Sequence, residues 1–480
     1  MALKVTTAEA VFLVTLVATF GVAFLARRRS VRDKNGGLAE LNLNRWLVGL
    51  SAGATANSGF IATGAVGFGY SYGLKSLFLP ISWLLGDLVF WYLFPARINR
   101  VGRESQATTL SEILTYKLSG WLSSALGLLC ALIILVCLTG FLSAQWLTGQ
   151  KFLSGAFGLP NSMALGIFAL LVIAYSSIGG FRGSIYTDVL LAIIRIAGTI
   201  IALVAILWFA MDDNIAFSKH IAAAGSGFMS MHFGGIAGTA SFVFGFAIAA
   251  IGFGLGQPQI LTRYLAGRSP EETRSAWWIY IGFGQFTWIS MIVFGVLLRG
   301  VMPGIADPET GLSVFFQNDT DAALTGIILA HVFATIAATS NGLLVTIAQT
   351  IVHDVVPRVF GDRQVRLYLS IATLLIGSVS MLLSISMHGS AYSVALSSMP
   401  LMGAGLAPAV MIKVLGWRHS AASLLCAVVG GIIGAVLWQQ LGLGRFLYEA
   451  GIGMACGLVI NWLAVKTFTV GTKSLNPRPQ

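Results

Sequence analysis

The chain has 480 residues, of which 56% are hydrophobic and only 10% charged. An average soluble domain carries about 25% charged residues, so this composition excludes a soluble enzyme, a disordered chain and a nucleic-acid binder. Apolar runs of about 20 residues recur along the whole length, which is the pattern of a polytopic membrane protein, and the net charge of +11 then calls for a reading as topology.

Taken in chain order, apolar runs separated by charged gaps predict thirteen transmembrane helices, near 8–26, 46–70, 77–95, 121–148, 162–178, 186–211, 234–256, 276–298, 323–351, 367–386, 391–415, 421–438 and 447–466. The first run lacks a basic n-region and a small-residue cleavage site, so it reads as a helix and not a signal peptide. Of the 29 Lys and Arg, the N-terminus and alternate gaps hold six: Lys4, Lys75, Lys151, Lys219, Arg299 and Arg445. The other gaps and the C-terminus hold 22, and Arg195 lies inside a span. Positive residues favour the cytoplasmic side, so the N-terminus is expected outside and the C-terminus inside a bacterial cytoplasmic membrane. Cys130, Cys137, Cys426 and Cys456 fall within spans, which argues for packing and against a disulfide framework. The long gaps near 27–45, 212–233 and 300–320 carry no catalytic cluster, and His220 and His232 are too far apart in sequence for a usual metal motif. No enzyme, metal site or cofactor is expected.

Two spans are weak helices. The second is crowded with Gly, Ala and Ser from Ser51 to Gly69, and the seventh from Phe244 to Pro258. Glycine costs about 1 kcal/mol in a helix interior relative to alanine, so both are expected to unwind or to pack very closely. They stand five spans apart. A repeat of five crossings inverts the chain direction, as in transporters whose broken helices meet at a central site. The expected organisation is a leading helix and basic loop (1–45), a first repeat (46–211), a second repeat with an extracellular loop (212–415), and two trailing helices with a cytoplasmic tail (416–480).

These segments resemble the sodium:solute symporter family, and within it the proline-transporter branch. The residues that carry the resemblance are Ser51-Ala-Gly-Ala with Ser58-Gly59, Gly179-Gly180-Phe181 with Tyr186-Thr187-Asp188, Gly256-Gln257-Pro258-Gln259-Ile260 with Arg263, and Leu343-Leu344-Val345 with His353-Asp354. The resemblance implies an all-α LeuT-type core of two inverted five-helix repeats, with one leading and two trailing helices. It also implies a sodium ion held between the first broken helix and the ninth span. There the family pattern Ala-x-x-Ser-Ser/Thr reads Ala334-Thr335-Ile336-Ala337-Ala338, so both hydroxyls are lost. Ala56 replaces an aspartate of the proline branch. Backbone carbonyls of Ala54, Asn57 and Ala334 remain, too few oxygens for a hard cation.

Arg195 lies in the middle of the sixth span, two turns (about 10 Å) beyond Asp188 on one helix face. An intramembrane charge is a functional hypothesis by default, and Arg195 is a candidate surrogate for the missing ion, or a structural partner of Asp188 or Asp87. The resemblance makes Asp188, Ser340 and Asn341 a possible second cation site. Asp87, Asp188 and His331 are the candidates for proton coupling. Sodium coupling, proton coupling, exchange against a counter-substrate and no coupling all stay open. The resemblance places substrate at Asn57, Ser58, Phe60, Gln145, Ala250, Phe253 and Gly254. Ala250 and Gly254 stand where the proline branch has aromatic rings, so extra volume and a solute bulkier than proline are expected, unless Phe244, Phe246 or Trp146 refills the space. The expected partners are a small organic solute and the lipid bilayer, with no nucleic acid, and the chain is expected to be a monomer. A solute-sensing receptor is the alternative from another class, disfavoured by a tail that stops at Gln480.

Overall fold

The computed structural model describes residues 6–30, 42–233, 235–356, 362–386, 390–445 and 447–468. Much of the expected basic loop and nearly all of the expected tail lie outside these. The helices are α1 (Thr7–Ser30), α2 (Arg45–Ala56), α3 (Gly64–Tyr72), α4 (Phe78–Leu93), α5 (Pro95–Ser105), α6 (Leu110–Thr115), α7 (Trp121–Phe157), α8 (Asn161–Asp212), α9 (Asn214–Ala223) and α10 (Gly235–Gly256). They continue with α11 (Pro258–Leu265), α12 (Pro270–Ser275), α13 (Trp277–Val301), α14 (Gly311–Asp319), α15 (Ala322–Thr350), α16 (Asp362–Ser386), α17 (Ser390–Val414), α18 (Ala421–Gln440) and α19 (Glu449–Phe468). Among the described residues ten helical stretches are long and apolar enough to cross a membrane. The expected fifth and sixth spans share the single run α8, which kinks at Gly180 (φ 57°, ψ −157°), a backbone conformation that glycine adopts without a Cβ clash. The expected eleventh span appears as the shorter apolar stretch Met399–Val414 within α17.

The second span breaks where its sequence is weakest. α2 ends at Ala56, Asn57 leaves the helical region (φ −86°, ψ 88°), and Ser58 is extended with its hydroxyl accepting from Phe60 N–H. A single 3-10 turn over Gly59–Ile61 leads to α3. Along its glycine run the seventh span takes the second of the two expected outcomes, close packing. Its glycine-rich run stays helical to Gly256, and the break falls at Gln257 (φ −101°, ψ 98°), before Pro258. Proline disfavours the α region for the preceding residue and begins helices well, so it sets the break. The glycines serve contact instead. A Cβ on Gly252 would stand 2.7 Å from Met454 Sδ, and one on Gly256 would stand 2.8 Å from the Met402 carbonyl.

α15 is the axis of the bundle. It is buried on every side from Ile328 to Thr350, its polar side chains included. α2, α7, α8 and α1 pack on it. α3 lies against α13 with both backbones nearly touching: a Cβ on Gly69 would come 2.3 Å from the Ile292 carbonyl, and one on Gly295 would come 2.1 Å from that of Val66. α18 and α19 pack on each other and on α17.

Candidate functional site

The break in α2 leaves carbonyls that an unbroken helix would bond to residues four further on. Two are taken by side chains from other helices. Ala54 O accepts from Arg195 Nη1 at 3.2 Å, and Thr55 O accepts from Thr339 Oγ1 at 3.1 Å. Arg195 is fully buried on α8 and its guanidinium stands 5.0 Å over the Phe283 ring. Its positive charge thus sits at a half-helix C-terminus, where the helix dipole favours a cation. Ala334, Ala337 and Ala338 are all fully buried on α15. Ala338 stands one turn from Gly342, where a Cβ would come 2.5 Å from Thr55, and the neighbouring Thr339 turns its hydroxyl to the Thr55 carbonyl.

Asp188 does not pair with Arg195. Its Oδ2 accepts from Ser51 Oγ at 2.7 Å, Thr55 Oγ1 at 3.1 Å and Arg263 Nη2 at 3.1 Å. Arg263 also donates to Ser184 Oγ at 2.7 Å and Gln259 O at 2.6 Å. One buried ion pair therefore ties α8, α2 and α11 together. The expected pairing of Arg195 with Asp188 or Asp87 gives way, because α11 delivers a second arginine from another part of the chain. The sequence motif included Arg263 without assigning it this role. Ser340 Oγ turns to Ile336 O, and Asn341 Nδ2 donates to Thr187 Oγ1 at 3.2 Å, next to Asp188 and not on it.

His331 Nδ1 lies 3.1 Å from the Arg195 carbonyl, a partner that requires the proton on Nδ1. It is wedged against Gly198, where a Cβ would stand 2.4 Å from that of His331. Both contacts hold α15 against α8 at the Arg195 level. Asp87 is 5% exposed and has no hydrogen-bond or ion-pair partner among the described residues.

Of the expected substrate contacts, Asn57 caps α2, Ser58 caps the turn and Phe60 is 42% exposed. Gln145 Oε1 is buried without a partner and lies 3.5 Å from where a Gly59 Cβ would be. Phe253 and Phe60 are joined by two residues the sequence did not single out. Phe253 meets Trp83 at 5.3 Å between centroids, Trp83 meets Trp288 at 5.7 Å, and Trp288 meets Phe60 at 6.1 Å. Ala250 and Gly254 open no volume. A Cβ on Gly254 would stand 2.7 Å from the Phe90 ring, and one on Gly86 would stand 2.7 Å from Ala250 Cβ. The expectation of a bulkier solute loses its basis here, because α4 closes onto α10 with Phe90 as filler. Phe244 faces outward at 61% exposure, Phe246 stacks 5.5 Å from Tyr448, and Trp146 donates to Ser380 Oγ.

α11, the continuation of the second broken span, packs on α2 of the first, both pack on the buried α15, and the aromatic series from Phe60 to Phe253 lies beside them. A sequence model of the sodium:solute symporter family matches residues 38–434. The chain belongs to the sodium:solute symporter family. It is 26% identical over 462 residues to the high-affinity proline transporter PutP of Bacillus subtilis, covering 91% of this chain and 93% of that one. It is 23% identical over 446 residues to a sodium/proline symporter of Staphylococcus aureus, covering 88% and 85%. Its fold is similar to that of a Na+-coupled sialic acid symporter solved in a substrate-bound outward-open state, with a TM-score of 0.80, 19% identity, and coverage of 96% and 98%. MhsT, solved in complex with L-phenylalanine, is a more distant match at a TM-score of 0.54 and 14% identity, covering 88% of this chain and 99% of that one. This family member is a membrane transporter with the LeuT fold, not an enzyme.

Proposed function

We propose that this transporter carries a small organic solute across a bacterial cytoplasmic membrane by alternating access, with the Arg195 guanidinium standing where the family binds sodium. The bond from Arg195 Nη1 to Ala54 O carries this reading. It puts a permanent charge on the carbonyl expected to face the ion, while Ala337 and Ala338 remove the hydroxyl ligands. Arginine stays protonated at physiological pH, so it holds the half-helix end without dissociating and cannot be the driving ion. Transport is then independent of sodium and driven by the solute gradient, by exchange or by protons. The halves 46–211 and 212–415 act as the inverted repeats, with the N-terminus outside and the C-terminus inside.

One observation favours sodium at a second position. Asp188 Oδ1 and Asn341 Oδ1 are buried acceptors without hydrogen-bond partners, oxygens of the kind hard cations take. Uptake into liposomes under a sodium gradient, a proton gradient and neither separates the readings. Uptake unchanged by removing sodium supports the Arg195 reading, and a millimolar sodium requirement overturns it.

A further inference from the structure

The buried acid Asp87 is unused by the site described above. Among the four fully identified charges inside the bundle, Asp188 and Arg263 neutralise one another at 3.1 Å and Arg195 rests on the carbonyl end of α2. Asp87 has neither a cation nor a donor among the described residues, although it is 95% removed from solvent. An acid in that position needs a partner or a proton.

Its placement names the partner. α4 presents Trp83, Asp87 and Trp91 at intervals of four residues, which stacks them on one helix face. Trp83 belongs to the ring series that runs from Phe60 through Trp288 to Phe253. Trp91 packs on Tyr264 at 5.2 Å and on Tyr280 at 5.2 Å. Gly86 fixes the depth, because α4 there approaches the Ala247 carbonyl too closely for any Cβ. The carboxylate thus sits one turn from the partly exposed ring series and is flanked by further aromatic groups. Ring faces carry negative potential and attract cations, and they do so more strongly when desolvated. A carboxylate and several aromatic faces together select an ammonium group over a neutral or anionic one.

We infer that Asp87 is the counter-charge for a positively charged nitrogen on the transported solute, held beside Trp83. This rests on the reading of the chain as a solute transporter and names its substrate class, an organic ammonium or iminium compound. The test uses the full-length detergent-purified protein and four small probes. These are tetramethylammonium and butylammonium as cations, tert-butanol as a neutral compound, and pivalate as an anion. Tryptophan fluorescence should change saturably with the two cations and not with the other two at equal concentration. Asp87→Asn should weaken cation binding at least tenfold, and Asp87→Glu should keep it within a few-fold. Equal responses to cations and tert-butanol, a response to pivalate alone, or unchanged cation binding by Asp87→Asn would each overturn the assignment. So would an Asp87→Asn variant that loses only proton-driven uptake, since Asp87 would then hold a proton. If Asp87→Asn does not fold, the charge selectivity of the unaltered protein still decides. Sodium dependence is measured separately, so failure of the Arg195 reading leaves this result untouched.

Discussion

Asp188 and Arg263 form an ion pair at 3.1 Å with both side chains fully buried, which leaves Arg195, seven residues along from Asp188, free to reach the broken end of α2. The pair is crossed by hydrogen bonds to Ser51, Thr55 and Ser184, so the carboxylate and the guanidinium are held by three helices at once. Removing one partner of a buried pair strands a charge and costs about 3–5 kcal/mol. Arg263→Ala is therefore expected to lower the thermal midpoint in detergent by several degrees more than Arg263→Ala with Asp188→Ala together. A double-mutant cycle on melting temperatures checks this. Equal losses in the single and double variants would place the stabilisation elsewhere on Arg263.

The Arg195 position yields a gain-of-function prediction. Arg195→Ala alone uncovers the Ala54 carbonyl and empties the volume of a fully buried side chain, so uptake should fall by at least tenfold. Adding Ala337→Ser and Ala338→Thr restores the family's hydroxyl pattern. The triple variant is expected to recover part of the uptake only with sodium present, and sodium should raise its melting temperature while leaving the unaltered protein unmoved. A triple variant equally indifferent to sodium would show that the arginine does not occupy an ion position.

Some of this was legible in the linear sequence and some was not, for physical reasons. Arg195 and Asp87 stand out because a charge inside an apolar run has few tolerable environments. The first break was legible as a weak run from Ser51 to Gly69, rich in Gly, Ala and Ser, while its place at Asn57 and Ser58 came only with the backbone. The second was legible only as a run that would unwind or pack closely, since glycine count does not separate the two, and Pro258 sets the turn. The pairing of Asp188 with Arg263 spans 75 residues, and periodicity says which face a side chain occupies but not which distant face it meets. The filling of the Gly254 hollow by Phe90 and the linking of Phe60 to Phe253 through Trp288 and Trp83 are likewise contacts between elements.

Gly198 and His331 give a local packing prediction. A Cβ at Gly198 would fall 2.4 Å from His331 Cβ and 2.8 Å from Nδ1, and the same nitrogen bonds the Arg195 carbonyl. Overpacking a well-filled core costs typically about 1–3 kcal/mol. Gly198→Ala should lower the melting temperature and also reduce uptake, because α8 and α15 must separate where Arg195 is anchored. His331→Gly in the same chain, which removes that Cβ as well as the ring, should relieve part of the stability loss. If the double variant is no more stable than Gly198→Ala alone, the contact is not the cause.

The contact of Phe90 with Gly254 tests whether pocket size was redistributed between helices. The Phe90 ring lies where any side chain at 254 would begin, with ring atoms 2.7 to 2.8 Å from the ideal Cβ. Gly254→Phe alone has nowhere to place its ring without moving α4, and α4 cannot retreat far because Gly86 is in backbone contact with α10 at the Ala247 carbonyl. Strong destabilisation and loss of uptake are expected. Phe90→Ala alone removes a buried ring, a change that costs about 3–5 kcal/mol in a core that does not collapse. The two together exchange the ring between helices at nearly constant volume, which cores tolerate far better. The double variant should fold with a melting temperature above either single one, read by thermal unfolding in detergent. A double variant less stable than both single ones would mean that the two positions do not share one volume.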